Sequence, residues 1–585
     1  MSEQEGSATA IRFGAFEVNL QARELHRRGL RLKIEEKPFQ ILAALLERPG
    51  QLITRQELRQ RLWTPDTYVD FDRNLNTAVN KLRDTLGDSA ENPRFVETLS
   101  RRGYRFIQPV EMAKGTTLPA APESEAINSI AVLPFENTSG DPEVDYLSDG
   151  ITESLISNLS QLAGVRVMAR STVFRYRGRG VDPLEVGREL RVHAVLTGRL
   201  VQRGDTLVIG AELVSTDSGF RLWGEQYNRK LPDIFEVEEK ISREISERLR
   251  LRLTGEEKKR LTKRYTENAE AYRDYLKGRY CYFKMNEEGL GKSIGYFQDA
   301  ILKDPHYALA YSGLADTYGL YGLFGLMPPR EVMPRARELS RIALSLDDGL
   351  AETHASLASI KKSYEWDWVG AENEYLRALE LNPNYATGHH WYADFLSSMG
   401  RSEEAMQEIH TAQELDPLSL VISMEVAWNW YMARQYEQSL EQSLKTLEIE
   451  PSFTPAQHTL GLAYLQLGKH TEAIRAFEKA KKGSGGNLVA LAALGHAYAA
   501  SGEERQANKA LSELGKIAQR RYVPHYWSAI VHAGLGQQDE GFECLEKACE
   551  ERDVWLVWLK AEPRFDNLRS DPRFENLLRR INWVP

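Results

Sequence analysis

Arg73-Asn74-Leu75-Asn76-Thr77-Ala78-Val79-Asn80-Lys81-Leu82-Arg83-Asp84-Thr85-Leu86, residues 73–86, reads as one helix with two different sides. Leu75, Val79, Leu82 and Leu86 are spaced by four, three and four, which at about 100° per residue puts them on a single buried stripe. The opposite side presents Arg73, Thr77, Asn80 and Lys81, with Asn76 and Arg83 at its flanks. These side chains hydrogen-bond base edges and phosphates, as a helix lying in the major groove must. A merely solvated polar face is the competing explanation, and the flanking sequence argues against it.

Upstream, Pro38, Phe39, Ile41, Leu42, Leu45 and Leu46 keep helical spacing, and Arg48-Pro49-Gly50 stops that helix. Thr54 followed three residues later by Glu57 is a capping box, opening a short helix that runs to Trp63. Downstream, Arg94 to Leu99 and Tyr104 to Ile107 flank Ser100-Arg101-Arg102-Gly103, a β-hairpin with a basic turn. Arg101, Arg102 and Arg105 are placed to meet the phosphate backbone or the minor groove.

The tracts Leu75 to Arg83, Pro93 to Thr98 and Arg101 to Phe106 make residues 11–108 resemble the OmpR/PhoB-type winged helix, in the form found in CadC/ToxR-like one-component regulators. The resemblance implies that the third helix enters the major groove and that the hairpin is the wing. It assigns DNA contacts to Asn76, Thr77, Asn80, Lys81, Arg83 and the wing arginines, and contact with RNA polymerase to the Trp63–Phe71 loop. A wing position often held by arginine is Ser100 here. The expectation is therefore a chain with no receiver domain ahead of residue 11 and no transmembrane helix after the winged helix, where CadC-like sensors usually carry one. Residues 111–127 read instead as a small, polar, Pro/Ala-containing linker.

Residues 128–258 read as a small α/β domain. Ser129 to Phe135 and Val165 to Met168 are strands, Tyr146 to Leu162 is a helix, and Asp182-Pro183 opens another. Ala194 to Leu200 and Thr206 to Val214 flank Arg203-Gly204-Asp205 as a hairpin, Phe220 to Tyr227 adds a strand, and Ile234 to Leu253 closes as an amphipathic helix. The tracts Ala131 to Asn137 and Tyr146 to Gly150 resemble the TolB N-terminal/FlgO-like domain, which implies an interaction or sensing role. Asp149 and Glu153 share a helix face and read as solvated. Arg175, Arg177 and Arg179 read as a solvated basic loop, with anion binding the less favoured alternative.

From residue 266 to 585 the sequence repeats itself. Pro383, Pro417 and Pro451 recur every 34 residues, as do Gly468, Gly502 and Gly536, and the small residues Ala405, Ser439, Ala473, Ala507 and Gly541. With Leu460-Gly461-x-x-Tyr464, Phe477 and Ala480 in register, this is the tetratricopeptide (TPR) pattern, a stack of helical hairpins. About eight repeats fit, and the tail from Arg564 to Phe574 resembles a cap over the last apolar face. A TPR groove receives a peptide or partner domain. His389, His390, Trp391 and Trp428 are candidates to line it, although aromatics at helical spacing usually pack between repeats. Gly291-Lys292-Ser293 is set aside as a phosphate loop, because the first glycine of that motif would fall on Asn286 and no strand precedes it.

The bulk numbers agree with a multidomain protein. Of 585 residues, 42% are hydrophobic and 27% charged, which is too apolar for disorder. Residues 1–110 hold 18 Lys+Arg against 15 Asp+Glu, a net of +3, and the rest of the chain carries −12. That asymmetry suits a DNA-binding module on an acidic body, though fluctuation alone produces as much. Cys281, Cys544 and Cys549 form no disulfide framework or metal pattern. No stretch matches a signal peptide or a span of about 20 apolar residues, so the expectation is a cytoplasmic chain. The fold class expected is multidomain: winged helix-turn-helix, small α/β domain and all-α TPR superhelix. The function expected is a one-component regulator binding double-stranded promoter DNA as a dimer on tandem sites, with no cofactor or metal. The alternatives are a TPR scaffold with accessory DNA binding, a SARP-like activator, and a signalling enzyme of the cyclase-associated type.

Overall fold

Thr54 and Glu57 close their capping box. The Thr54 amide and hydroxyl both donate to Glu57 Oε2 at 2.8 Å, while the Glu57 amide donates to Thr54 Oγ1 at 3.2 Å. These bonds hold the Glu57 carboxyl below its ordinary pKa, the backbone bond from Thr54 being the largest cause. The box starts α2 (Arg55–Leu62), which follows α1 (Glu36–Glu47) and precedes α3 (Phe71–Leu86). This computed structural model describes residues 10–583 except 14–15, 20–23, 28–29, 33, 63–70, 91–92, 100–101, 113–126, 163, 205, 231–233, 250–253, 256, 258–262, 264 and 484–487. The chain forms two compact units, Met1–Glu125 and Ala126–Pro585.

In the first unit the three helices are flanked by two sheets. Strands β1 (Ala10–Phe13), β2 (Phe16–Asn19), β3 (Glu24–Arg27) and β4 (Leu30–Leu32) form an antiparallel meander that the sequence reading did not contain. Strands of three or four residues give too few alternations to register as period two. The expected linker also begins later than residue 111, because Glu111–Met112 pairs with β1 through Ile11↔Met112. The second sheet joins the hairpin β6 (Val96–Leu99) and β7 (Gly103–Phe106) to β5 (Leu52–Thr54), in the order β5-β7-β6. Here Gly103 is dictated by space, since a Cβ on it would lie 2.0 Å from the Ile53 carbonyl oxygen. Phe13, Phe16, Phe95 and Phe106 lock the two sheets together, with ring centroids 4.9 Å apart for Phe13–Phe106 and 5.4 Å for Phe16–Phe95, both edge-on.

The second unit opens with β8 (Ser129–Val132), β9 (Arg166–Val167) and the long meander β10 (Ala194–Arg203), β11 (Thr206–Ser215), β12 (Arg221–Lys230). The strand order is β9-β8-β10-β11-β12, the first three parallel and the rest antiparallel. α4 (Asp145–Ser160) and α5 (Ile234–Arg248) pack against it. Eight helical hairpins follow among the described residues, from Ala269–Tyr282 with Glu287–Lys303 to His525–Gly534 with Gln538–Glu551. The periodic small residues Ala405, Ser439, Ala473 and Ala507 are all fully buried between paired helices. The periodic glycines end helices in the left-handed region, at φ 72° for Gly468 and 81° for Gly502. In that same register Arg434 takes φ 63° without being glycine, and its guanidinium grips Asp566 at 2.6 and 2.7 Å.

Sheet and repeats share one apolar core, in which Tyr272, Leu276 and Tyr307 of the first repeats join Ile151, Leu155 and Ile241. The 34-residue period supplies the polar half of this junction. Asn382 and Asp416 sit at equivalent repeat ends, and each is aimed at the α/β elements. Asn382 donates to Ser160 Oγ at 2.9 Å, and Asp416 accepts from Thr172 Oγ1 at 2.6 Å and from Ser171. Asn384 adds donations to the carbonyls of Ser160 at 2.9 Å and Val165 at 3.0 Å.

Candidate nucleic-acid interface

The stripe read from the sequence is the buried face of α3: Leu75, Val79, Leu82 and Leu86 are at most 2% exposed. Asn76, Thr77, Asn80 and Lys81 are exposed. Arg102, on the hairpin turn, is exposed as well. The Arg73 side chain and the whole of Arg101 lie outside the described residues, and so does the expected polymerase loop at 63–70.

Asn76 and Lys81 are each held by neighbours. Asn76 Oδ1 accepts from Tyr104 Oη at 2.8 Å and from Arg55 Nη2 at 2.7 Å, and Arg55 Nη1 reaches Tyr104 Oη at 3.1 Å. This triangle fixes the carboxamide with its oxygen inward, so neither bond uses its two Nδ2 donors. Lys81 Nζ bonds Glu35 at 2.7 Å, an exposed pair that contributes little to stability and yields its lysine to a phosphate at small cost. Arg105 pairs with Glu97 across the wing at 2.6 Å, both side chains about one-third exposed at 39% and 31%.

Arg83 requires a correction. Expected at the flank of the DNA-facing side, it is 5% exposed and turned inward, donating to the Val96 carbonyl at 2.8 Å and to Thr98 Oγ1 at 2.6 Å. Its guanidinium fastens α3 to the wing. Asp88 does the same at the helix end, accepting from the amides of Arg94 at 2.6 Å and Val96 at 2.8 Å. A helical wheel places Arg83 by angle alone and cannot show that a strand lies over that flank. Arg55 escaped the sequence reading for the related reason that its partners, Asn76 and Tyr104, are 21 and 49 residues away.

Elsewhere, charged groups read as solvated are engaged. Asp149 is buried beside Arg177, 3.0 Å away, and burial pushes its carboxyl up to about 6, with Arg177 and Arg170 opposing. Arg175 donates to the Leu418 carbonyl at 2.8 Å. The groove candidates are also occupied: His389 is held by Glu408 at 2.6 Å and the Pro383 carbonyl at 3.0 Å, and Trp428 meets Trp558 edge-on at 5.3 Å. Trp558 belongs to the C-terminal tail, which does more than cover the last hairpin. It runs back along the first helices of earlier repeats. Glu562, paired with Arg564 at 2.7 Å with both side chains 1% exposed, accepts from Tyr431 Oη at 2.8 Å. Trp368 Nε1 donates to the Ile581 carbonyl at 3.0 Å. Gly291-Lys292-Ser293 lies inside the helix Glu287–Lys303, where Ser293 is buried and bonds Thr317.

Comparison with known proteins finds matches in several separate segments of the chain. Residues 29–106 match the family model described as "Transcriptional regulatory protein, C terminal". Residues 125–242 match "HilA/YgeH-like transcriptional regulator, second domain", and residues 374–407 and 437–530 match tetratricopeptide repeat models. The Transcriptional regulator HilA of Salmonella typhimurium is 22% identical over 565 residues, 95% of this chain and 97% of that one. A Putative adenylate cyclase 3 of Rhizobium meliloti is 32% identical over 293 residues, 48% of this chain; the match spans only 43% of that relative's length. The Cholera toxin homolog transcriptional activator of Vibrio parahaemolyticus is 32% identical over 126 residues, 21% of this chain and 43% of that protein. No helix among the described residues is long and apolar enough to cross a membrane.

Proposed function

We infer that this chain is a DNA-binding transcription regulator whose α3 reads promoter DNA in the major groove while the β6–β7 wing holds the backbone. The observation that carries this reading is the single exposed face formed by Asn76, Thr77, Asn80 and Lys81, backed by a buried apolar stripe, in a segment matching a regulator DNA-binding model. Amide and hydroxyl groups supply base-edge donors and acceptors, and Lys81 and Arg102 supply phosphate charge. Arg73, Arg101 and Arg105 join them as backbone contacts in this reading. Arg83 acts through the wing it positions.

The near full-length likeness to HilA supports regulation by the chain as a whole, with residues 126–585 receiving a protein partner or a signal. Dimerisation on tandem half-sites and contact of residues 63–70 with RNA polymerase belong to the same proposal. The test is capture of genomic fragments by the full-length protein beside an Asn80→Ala/Lys81→Ala/Arg102→Ala variant. Recovery of a few promoter fragments by the wild type, lost in the variant, is expected. Equal recovery by both would overturn the assignment of the face.

The adenylate cyclase relative motivates one alternative, a signalling enzyme. The reading preferred here gives the chain no catalytic role, since segments resembling a regulator's second domain and TPRs cover about half of what lies beyond the winged helix. Incubation of the purified protein with ATP and a divalent cation decides it, cyclic AMP above the no-protein control being the outcome that favours the enzyme.

A further inference from the structure

The second helices of the seventh and eighth hairpins, Glu504–Ala518 and Gln538–Glu551, carry opposite charges in one register. On the first, Arg505, Lys509, Ser512 and Lys516 are exposed at spacings of four, three and four, a basic stripe about 16 Å long at about 1.5 Å per residue. One 34-residue period later the same positions hold Asp539, Glu543, Glu546 and Glu550, all exposed. A single repeat thus reverses the sign of the whole stripe. The fifth and sixth hairpins, with Glu437, Glu441, Leu444 and Glu448 followed by Thr471, Arg475, Glu478 and Lys482, oppose signs at only two of these positions.

The two stripes are not spent on each other. Among the described residues Arg505, Lys509 and Lys516 form no ion pair, although Lys481 of the sixth hairpin reaches Glu513 of the seventh at 2.8 Å. Neighbouring second helices therefore do pair where their side chains point at one another, and these cations point away. On the acidic side Glu546 and Glu550 form no ion pair among the described residues. Asp539 meets Arg573 at 2.8 Å and Glu543 meets Lys547 at 2.7 Å, yet their side chains stay 87% and 64% exposed. Both stripes thus face outward with charge that the chain itself does not neutralise.

We propose that these two helices form a contact between two copies of the chain, the basic stripe of each lying over the acidic stripe of the other. A patch with the two signs side by side is self-complementary, as a twofold contact requires. The charge pattern also selects the axis. A twofold axis in the contact plane and parallel to the helices keeps their direction, so equal register positions face one another. Arg505 of one copy then meets Asp539 of the other, Lys509 meets Glu543 and Lys516 meets Glu550, and each pairing occurs twice. An axis across the helices would set each stripe on its own counterpart, like charge against like. Exposed ion pairs are individually weak and screened by salt, so the dimer they make is reversible and salt-sensitive. The repeats alone make this contact, and it stands whether or not the winged helix occupies tandem sites on DNA.

Analytical sedimentation of the full-length protein without DNA tests this, at tens of micromolar protein. Runs are made at about 0.1 M and about 1 M salt, between which the screening length falls from about 10 to about 3 Å. The wild type is expected to dimerise at the lower salt and to be monomeric at the higher. Lys509→Glu/Lys516→Glu sets acid against acid, and Glu543→Lys/Glu550→Lys sets base against base. Each variant alone should weaken the dimer about tenfold or more. Mixed in equal amounts the two should restore it, because each offers the charge that the other lacks. All four positions are exposed, and rescue by mixing shows that both variants are folded. A wild type monomeric at the lower salt, a dimer indifferent to both reversals, or a mixture that stays monomeric would each overturn the proposal. So would assemblies larger than a dimer, which a head-to-tail contact would build.

Discussion

Tyr104 on the wing donates its phenol proton to Asn76 Oδ1 on the recognition helix at 2.8 Å. The wing therefore sets the orientation of a side chain proposed to read DNA, and does so from a ring that is only 2% exposed. Tyr104→Phe keeps the ring and deletes the bond. The expected cost is about 1 kcal/mol of stability, since Arg55 still reaches Asn76. Affinity for the captured promoter fragment should fall several-fold as the carboxamide is freed. Urea unfolding and fluorescence anisotropy check the two parts. Unchanged affinity with lowered stability would make the triangle purely structural.

Arg83 and Lys81 stand two residues apart and should fail in opposite ways. Arg83→Ala removes a buried guanidinium from the Val96 carbonyl and Thr98, leaving that carbonyl short of a partner. A loss of about 2–3 kcal/mol is expected, with DNA binding declining only as the domain unfolds. Lys81→Ala breaks an exposed pair with Glu35, so stability should stay within about 0.5 kcal/mol. Its mark should be on DNA: weaker binding on every sequence, and a salt dependence shallower by about one phosphate contact. Anisotropy titrations over a range of salt, beside melting curves, separate the two.

How far the sequence could be read is shown by these same residues. The apolar stripe of α3, the capping box at Thr54 and the 34-residue period are local patterns, set by dihedral periodicity or by contacts three or four residues apart. All three were legible. Arg83 was misplaced because its environment is made by Val96 and Thr98 on a later strand. The β1–β4 meander was missed because its strands are three or four residues long. The tail's return is the largest such gap, since Glu562 meets Tyr431 across 131 residues and no periodicity announces it.

The Glu562–Arg564 pair is deep enough to behave as a core element. Arg564→Ala would leave Glu562 charged and buried with only the Tyr431 phenol and the amide of residue 564 as donors, and a loss of about 3–5 kcal/mol is expected. Glu562→Gln/Arg564→Met removes both charges and should be milder than either single change. Full-length unfolding in urea, followed by tryptophan fluorescence because Trp558 and Trp555 sit in this tail, measures it. A double variant as damaged as Arg564→Ala would mean that packing, not charge, anchors the tail.

Two histidines beside that pair predict how the repeats respond to acid. Burial pulls His458 down to about 3 and His496 to about 4, with the nearby Arg564 adding to the effect and Glu562 opposing it. Unfolded, each would titrate near 6.5. Between about pH 6.5 and 4 the unfolded chain therefore binds more protons than the folded one, so stability falls as pH falls through that window. The raised carboxylates act the other way. Asp553, pushed up to about 7 by burial, binds more protons folded than unfolded between about pH 7 and 4 and favours the folded state as the solution is acidified through that window. The two effects are separable by substitution. His458→Phe, which keeps a ring against Phe477, should flatten the loss of stability between pH 6.5 and 4. Melting temperatures of wild type and variant at half-unit steps of pH are the measurement. Parallel curves would show that His458 is protonated in the folded protein, and that the buried site admits the charge.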